Sequence, residues 1–302
     1  MIFDWMAFMK WLFGLREEQV PTVLMATASP SMTRVLQPAY TKRLRPVWEG
    51  TVLIETVKPE PALPILAWHG MTDTGMKRPH NEDSFACQDF GGRSMFVVAD
   101  GMGGHDAGEV ASRIAVETAS AEISDMKHGD DPKVIVERAV RLANAAVKIE
   151  GTIKGSNMGT TLSLALVEGT TAYIANVGDS RVYWIENGDI TQITEDHSLV
   201  AKLVSNGKLT KAEARLHPKA NLLYRTIGND ETIKVDTFTV NLEKGGSLLL
   251  CTDGLWGELS DEEIHKICSL EKNSEKSCAK LLRMANEKGG RDNITAVVVK
   301  VI

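Results

Sequence analysis

Apolar positions along this chain form short unbroken runs and longer stretches of helical spacing, and the two alternate from about residue 66 onward. Residues 95–99, 247–251 and 294–301 are too uniformly apolar for half-exposed strands and read as strands buried on both faces. Residues 161–167 with 172–177, and 181–185 with 190–193, read as hairpins. The first turns at Glu168-Gly169 and the second at Asn187-Gly188, a dipeptide suited to tight antiparallel turns. A further strand is expected over 233–240. Val110, Ile114, Ala115, Thr118 and Ile123 predict a helix over 108–125, and a second over 133–149 follows Pro132, which fits a first helical turn. Helices over 261–268 and 273–288 come next, the first opened by Ser260 with Glu263 three residues on. Hairpin-linked strands with paired helices indicate an α+β fold of antiparallel sheets covered by helices.

Upstream the pattern breaks down. Residues 16–66 hold Pro21, Pro30, Pro38, Pro46, Pro59, Pro61 and Pro64, so they read as a linker with one short strand at 51–57. The domain boundary is placed near Leu66: an N-terminal extension over 1–66, then a catalytic domain over 67–302. Residues 1–15 are apolar on nearly every face yet carry Asp4 and Lys10, and a bilayer span needs about 20 apolar residues. A secretory leader is not expected there. The segment reads as an interfacial anchor through Trp5, Phe8, Trp11 and Phe13, as a docking helix for a partner, or as a tail; Met25 and Met32 are alternative starts.

Composition narrows the classes. A hydrophobic share of 43% and a charged share of 25% are ordinary for a globular protein. The net charge of −6, with no Lys/Arg run, argues against a nucleic-acid surface. Cys87, Cys251, Cys268 and Cys278 have no CxxC spacing and read as buried or incidental thiols of a reducing, cytoplasmic compartment.

The candidate chemistry lies in acids at the edges of the apolar runs: Asp100, Asp179 and Asp253 after three of them, Asp292 before a fourth. In an antiparallel sheet the end of one strand lies beside the start of its neighbour, so these carboxylates can share one rim. Asp-Gly is also a turn dipeptide, and each acid singly fits that simpler reading. Together with Glu82 and Asp83 in an NED cluster they would repel one another unless cations sat among them, and hard divalent ions such as Mg or Mn suit oxygen ligands.

In order along the chain, RPHNEDS, VADGMGGH, MGTTL, NVGDSRVY, TEDHSLV, TDGL and GGRDNIT resemble the metal-dependent type 2C (PPM) protein Ser/Thr phosphatases in their bacterial form, over about residues 70–302. The resemblance implies a four-layer α-β-β-α sandwich, two antiparallel sheets flanked by helix pairs. It implies Mn2+ or Mg2+ as cofactor, two ions held tightly and a weaker third. The implied reaction is hydrolysis of phosphoserine and phosphothreonine by direct attack of a metal-bridging hydroxide. On the matching positions, Asp100 resembles the carboxylate bridging two metals, with the Gly101 carbonyl on one of them. Asp253 and Asp292 resemble ligands of the other. Asp179 resembles the residue holding the third, with help from Asp253. Glu82 and Asp83 resemble groups that hold metal-bound waters, Asp83 counting with the metal residues, and Asn293 resembles a polar neighbour. Arg78 resembles the phosphate clamp, though alone it also reads as a surface charge beside Lys77.

These roles suit the residue types. Phosphate monoesters need up to ~10²¹-fold acceleration, and paired metals acidify and aim a water. Arginine's planar fork donates two parallel bonds to phosphate. The GMGG glycines form no P-loop, since no Gly-Lys-Ser/Thr follows. Met102 stands where eukaryotic relatives place a histidine after Asp-Gly, so no general acid is assigned, and His105 and His197 read first as structural. Gly257 replaces an acid found in many relatives, which bears on the third ion alone.

Residues 198–224 lie where bacterial relatives carry a flap, and Lys202, Lys208, Lys211, Arg215 and Lys219 there read equally as a phosphoprotein-recognising face or a solvated one. The implied partners are phosphorylated targets of a Ser/Thr kinase, with no nucleic acid, and the enzyme is expected to be a monomer. A catalytically silent phosphoprotein-binding scaffold is the competing class, disfavoured because Asp83, Asp100, Asp253 and Asp292 all stand. A metal-dependent phosphodiesterase fits poorly with the absence of a basic groove.

Overall fold

The computed structural model describes residues 65–103 and 107–302. Its strands are β1 (Leu66–Asp73), β2 (Asp83–Asp89), β3 (Arg93–Met102), β4 (Gly159–Thr160), β5 (Leu162–Glu168), β6 (Thr171–Val177), β7 (Arg181–Glu186), β8 (Asp189–Gln192), β9 (Asp236–Asn241), β10 (Ser247–Cys251) and β11 (Ile294–Val301). They pair into two antiparallel sheets, one in the order β1-β11-β10-β7-β8 and one in the order β2-β3-β5-β6-β9, with β4 joined to the end of β3. The helices are α1 (Ala107–Ser124), α2 (Pro132–Lys154), α3 (Leu199–Ser205), α4 (Lys211–Arg215), α5 (Asp253–Trp256), α6 (Asp261–Leu270) and α7 (Ser274–Glu287).

Side-chain alternation explains the layering. Successive residues of a strand point to opposite faces. Val297, Val299 and Val301 of β11 pack with Leu248 and Leu250 of β10 against Phe96, Val98, Ala165 and Ile174 of the other sheet. Ile294, Ala296 and Val298 point the other way, onto Ile264, Cys268, Cys278, Leu281 and Ala285 of α6 and α7. On the outer face of the second sheet, α1 packs on β2 and β3, and α2 on β5 and β6. The result is the expected helix–sheet–sheet–helix sandwich, and burial on both faces is why β11 and β10 read as continuous apolar runs. At about 1.5–3 kcal/mol per fully buried Val, Leu or Phe, these two layers are the main stabilising term.

Several elements differ from the sequence pattern. The strands β1 and β2 are not among those predicted. Their sequences, LAWHGMTD and DSFACQD, are half-buried along most of their length and show no clean alternation. The strand expected over 233–240 begins at Asp236, where pairing with Asn176 starts, although Ile233 and Val235 are buried ahead of it. Helix α2 runs past residue 149 to Lys154, because its stop is Gly155 in the left-handed conformation (φ 62°). The Ser260–Glu263 capping box forms at α6 as predicted. The strand expected at 51–57 and the apolar segment 1–15 lie outside the described residues. No helix among the described residues is long and apolar enough to cross a membrane.

Candidate active site

Asp100 lies in β3 directly across from Asp83 in β2. The strand does not stop at Asp100, as the apolar run suggests, but continues through Gly101 and Met102, which pair with Thr160 and Gly159. The MGTTL motif thereby fixes the Asp100 backbone. Its N–H donates to Thr161 Oγ1 at 2.9 Å, and its carbonyl accepts from Thr160 Oγ1 at 2.8 Å and Thr161 N–H at 2.9 Å. Gly101 is required by close approach: a Cβ there would lie 2.1 Å from the Gly108 carbonyl oxygen and 2.5 Å from that of Glu82. The first turn of α1 and the NED segment thus exclude a side chain, independently of any ion. The Glu82 carbonyl also accepts from Gly101 N–H (3.1 Å) and Ser112 Oγ (2.6 Å).

Asp83 is deeply set, at 7% exposure. Its Oδ2 accepts from Thr252 Oγ1 (2.7 Å), just past β10, and from Thr295 Oγ1 (2.6 Å) in β11, on the side of the opposite sheet. Since Thr295 gives its proton to Asp83, Thr72 donates to Thr295 Oγ1 at 2.8 Å, and Asn81 Nδ2 donates in turn to Thr72 Oγ1 at 2.8 Å. Thr295 closes the GGRDNIT motif without a role assigned to it there, and Thr72 lies in no motif. They become visible only through the register that sets Thr72 against Thr295.

The turn 178–180 carries Asp179, which is 4% exposed. Gly178 has φ +106°, open to glycine at low cost. His197 braces this turn: its N–H donates to the Gly178 carbonyl (2.9 Å), and its Nδ1 accepts from Gly178 N–H at 3.0 Å. Its Nε2 lies 3.1 Å from Asp236 Oδ2 and 2.8 Å from Arg225 Nη1, and burial with the Arg225 charge beside it holds His197 as a neutral structural group. Trp256 Nε1 donates to the Asp179 carbonyl at 3.0 Å, and its ring stacks 3.6 Å beneath Arg181, itself paired with Asp196. Trp256, adjacent to the TDGL motif, was not singled out by the sequence.

Asp253 opens α5 just past β10, and Asp292 lies two residues before β11. Arg78 Nη2 reaches Asp292 Oδ2 at 2.6 Å, with the arginine side chain 44% exposed at the mouth of the site. Asn293 is a brace: Nδ2 donates to the carbonyls of Thr74 and His80 (2.9 Å each), and Oδ1 accepts from Glu82 N–H at 2.8 Å. It pins the loop that carries Arg78. The flap segment folds as α3 and α4, zipped at its root where Leu199 N–H meets the Leu222 carbonyl and Tyr224 N–H meets that of His197. Arg215 also reaches the Leu259 carbonyl at 3.2 Å. His105 lies outside the described residues.

Asp100 feels the charges of Asp253, Asp83, Asp179 and Asp292, so the structure brings these five acids into one electrostatic field. Burial first, and mutual repulsion second, raise Asp100 and Asp179 well above the ordinary carboxylate range. Burial raises Asp83 to about 7 despite its two threonine donors, and Asp253 to about 6 despite Arg78. Asp83 Oδ1 and Asp253 Oδ1 are buried with no hydrogen-bond partner. Among the described residues, no three Asp, Glu, His or Cys side chains close on one point as a formed metal cage. Asp292 is turned to Arg78 instead. A buried all-oxygen acidic set with orphaned acceptors fits hard divalent cations.

Fold and acidic rim together define a hydrolase of the protein phosphatase 2C class, and a family profile of that description matches residues 77–298. The chain belongs to that family. It is 36% identical over 237 residues to the serine/threonine phosphatase Stp of Listeria monocytogenes, covering 76% of this chain and 93% of that one. It is 37% identical over 243 residues to the PstP phosphatase of Mycobacterium tuberculosis, covering 79% of this chain and 45% of that longer protein. The crystal structure of the PstP catalytic domain in complex with two manganese ions superposes with a TM-score of 0.72, at 34% identity over 80% of this chain and all of that one. A serine/threonine phosphatase from S. agalactiae superposes with a TM-score of 0.73 at 30% identity, over 78% of this chain and 100% of that one.

Proposed function

We propose that this chain is a Mn2+- or Mg2+-dependent protein phosphatase that hydrolyses phosphoserine and phosphothreonine in proteins by direct attack of water, without a covalent phosphoenzyme. The observation that carries this is the convergence of Asp83, Asp100, Asp179, Asp253 and Asp292 in one field, two of them with buried, unpartnered oxygens. Bound divalent ions would neutralise that field and acidify a water for attack at phosphorus. Asp100, with the Gly101 carbonyl, Asp253 and Asp292 would hold the two tight ions, and Asp179 the weaker third. Asp83 and Glu82 would orient water. Arg78 would bind the phosphate, exchanging its Asp292 contact for the substrate's oxygens. The catalytic unit is taken as 67–302, working as a monomer in the cytoplasm on targets of a Ser/Thr kinase. Four free thiols agree with a reducing compartment.

The test is phosphate release from phosphothreonine and phosphotyrosine peptides with Mn, Mg, Ca or chelator. Expected are turnover of phosphothreonine with Mn or Mg, loss with chelator, and loss in Asp253→Asn and Asp292→Asn. Near-normal turnover in either variant at saturating Mn would refute the ligand assignment. Chelator-resistant activity would refute metal dependence itself.

A further inference from the structure

One side chain outside the proposed ligand set touches two parts of it. Thr161 is fully buried, and its hydroxyl accepts the Asp100 N–H at 2.9 Å while meeting Ser180 Oγ at 2.7 Å. Its own N–H donates to the Asp100 carbonyl at 2.9 Å. Its Cγ2 methyl fills the space beside Gly178, 2.5 Å from where a Cβ would stand. Ser180 is held a second time, through its carbonyl, by Ser163 Oγ at 2.9 Å. Thr161 therefore binds both backbone polar groups of Asp100 and also both neighbours of Asp179.

Those two acids sit in each other's repulsive field, so their separation is not self-maintaining. We infer that Thr161 is a positioning residue that holds Asp100 and the Asp179 turn at one fixed spacing, with Ser180 as the other half of the clamp. The inference rests on the metal-dependent reading above. Thr160, by contrast, reaches only the Asp100 side, through the Asp100 carbonyl. A hydroxyl bonded to both the β3 backbone at Asp100 and the 178–180 turn transmits any shift of one to the other.

The test uses the full chain stripped of metal, titrated with manganese by calorimetry. Thr161→Val keeps the shape and removes the hydroxyl, and it should weaken the tightest manganese binding by ~10–100-fold, as loss of an outer-shell partner does. Thr161→Ser keeps the hydroxyl and should bind within about threefold of wild type, a window well inside that loss. Thr194→Val removes another buried hydroxyl, one that accepts Val182 N–H at 3.1 Å and bonds neither Asp100 nor Ser180. It should melt earlier with manganese affinity unchanged. A second arm is a double-mutant cycle on kcat at saturating manganese. Ser180→Ala should lower kcat alone but add nothing to Asp179→Asn, because both act through one turn.

Manganese affinity in Thr161→Val equal to that of wild type would overturn the clamp. So would independent, multiplicative effects of Ser180→Ala and Asp179→Asn, or an Asp179→Asn without effect. Should Thr161→Val give no cooperative melt, the Ser180–Asp179 cycle decides alone. A wild-type protein that binds no manganese would instead sink the metal reading, a separate result.

Discussion

Asp83 makes the metal-free protein sensitive to pH in a direction opposite to ordinary acid denaturation. Its carboxyl is raised from about 3.8 in the unfolded chain to about 7 in the fold. An acid whose folded-state pKa is raised contributes stability that is complete below the unfolded value and is lost as pH rises through the folded one. Between pH 5 and pH 8 the proton-binding difference integrates to roughly 1.9 pK units, on the order of 2.5 kcal/mol. For a domain of this size that is about 5–10 °C in Tm. His197 works against the trend, because its burial-lowered pKa adds stability as pH rises toward 6.5, and Asp253 works with it. The Asp83→Asn variant isolates the Asp83 contribution, since an amide oxygen still accepts from Thr252 and Thr295. Calorimetric Tm values in chelator should therefore fall more steeply from pH 5 to 8 in wild type than in Asp83→Asn, by the amount above. With manganese the wild-type trend should reverse, because ligands must lose their protons to bind. Parallel metal-free curves for the two proteins would refute the argument.

Two further perturbations follow from the geometry. Gly101→Ala places a methyl 2.1 Å from the Gly108 carbonyl oxygen and 2.5 Å from that of Glu82, a collision that only backbone movement on both sides can relieve. A loss of several kcal/mol, read as a fall in Tm of ~10 °C or more, is expected, and a fall under about 2 °C would show that the contact is soft. Arg78→Ala should raise KM for phosphopeptide by ~10–100-fold, the worth of a charge-assisted pair, with manganese affinity intact. Arg78→Lys should recover only part of this, and an unchanged KM in Arg78→Ala would remove the clamp role.

The acids and the buried strands were legible for the same reason. Fully buried strands must be apolar throughout, so Asp100, Asp179, Asp253 and Asp292 stand out at their edges against runs such as SMFVVA and SLLLC. What escaped was everything fixed by long-range register. Thr72 and Thr295 acquire meaning only when β1 pairs with β11, and Thr161 only when the turn 178–180 folds back on it. Strand β1 itself, with His69 and Gly70 amid half-buried positions, has no local sequence signature stronger than that of the proline-rich stretch preceding it. His197, flagged as more structural than catalytic, is a brace, because Gly178 N–H commits its Nδ1 to accepting.

The bond set of Asp83 has a consequence beyond chemistry. The residue belongs to one sheet, whereas Thr295 lies in β11 of the other and Thr252 directly follows that sheet's β10, so its buried carboxyl is a rivet across the interface between the two halves of the sandwich. Sliding one half against the other by a single residue would tear out the rivet and scatter the acids together. In this architecture, the alignment of the two layers and competence for the reaction are therefore one variable.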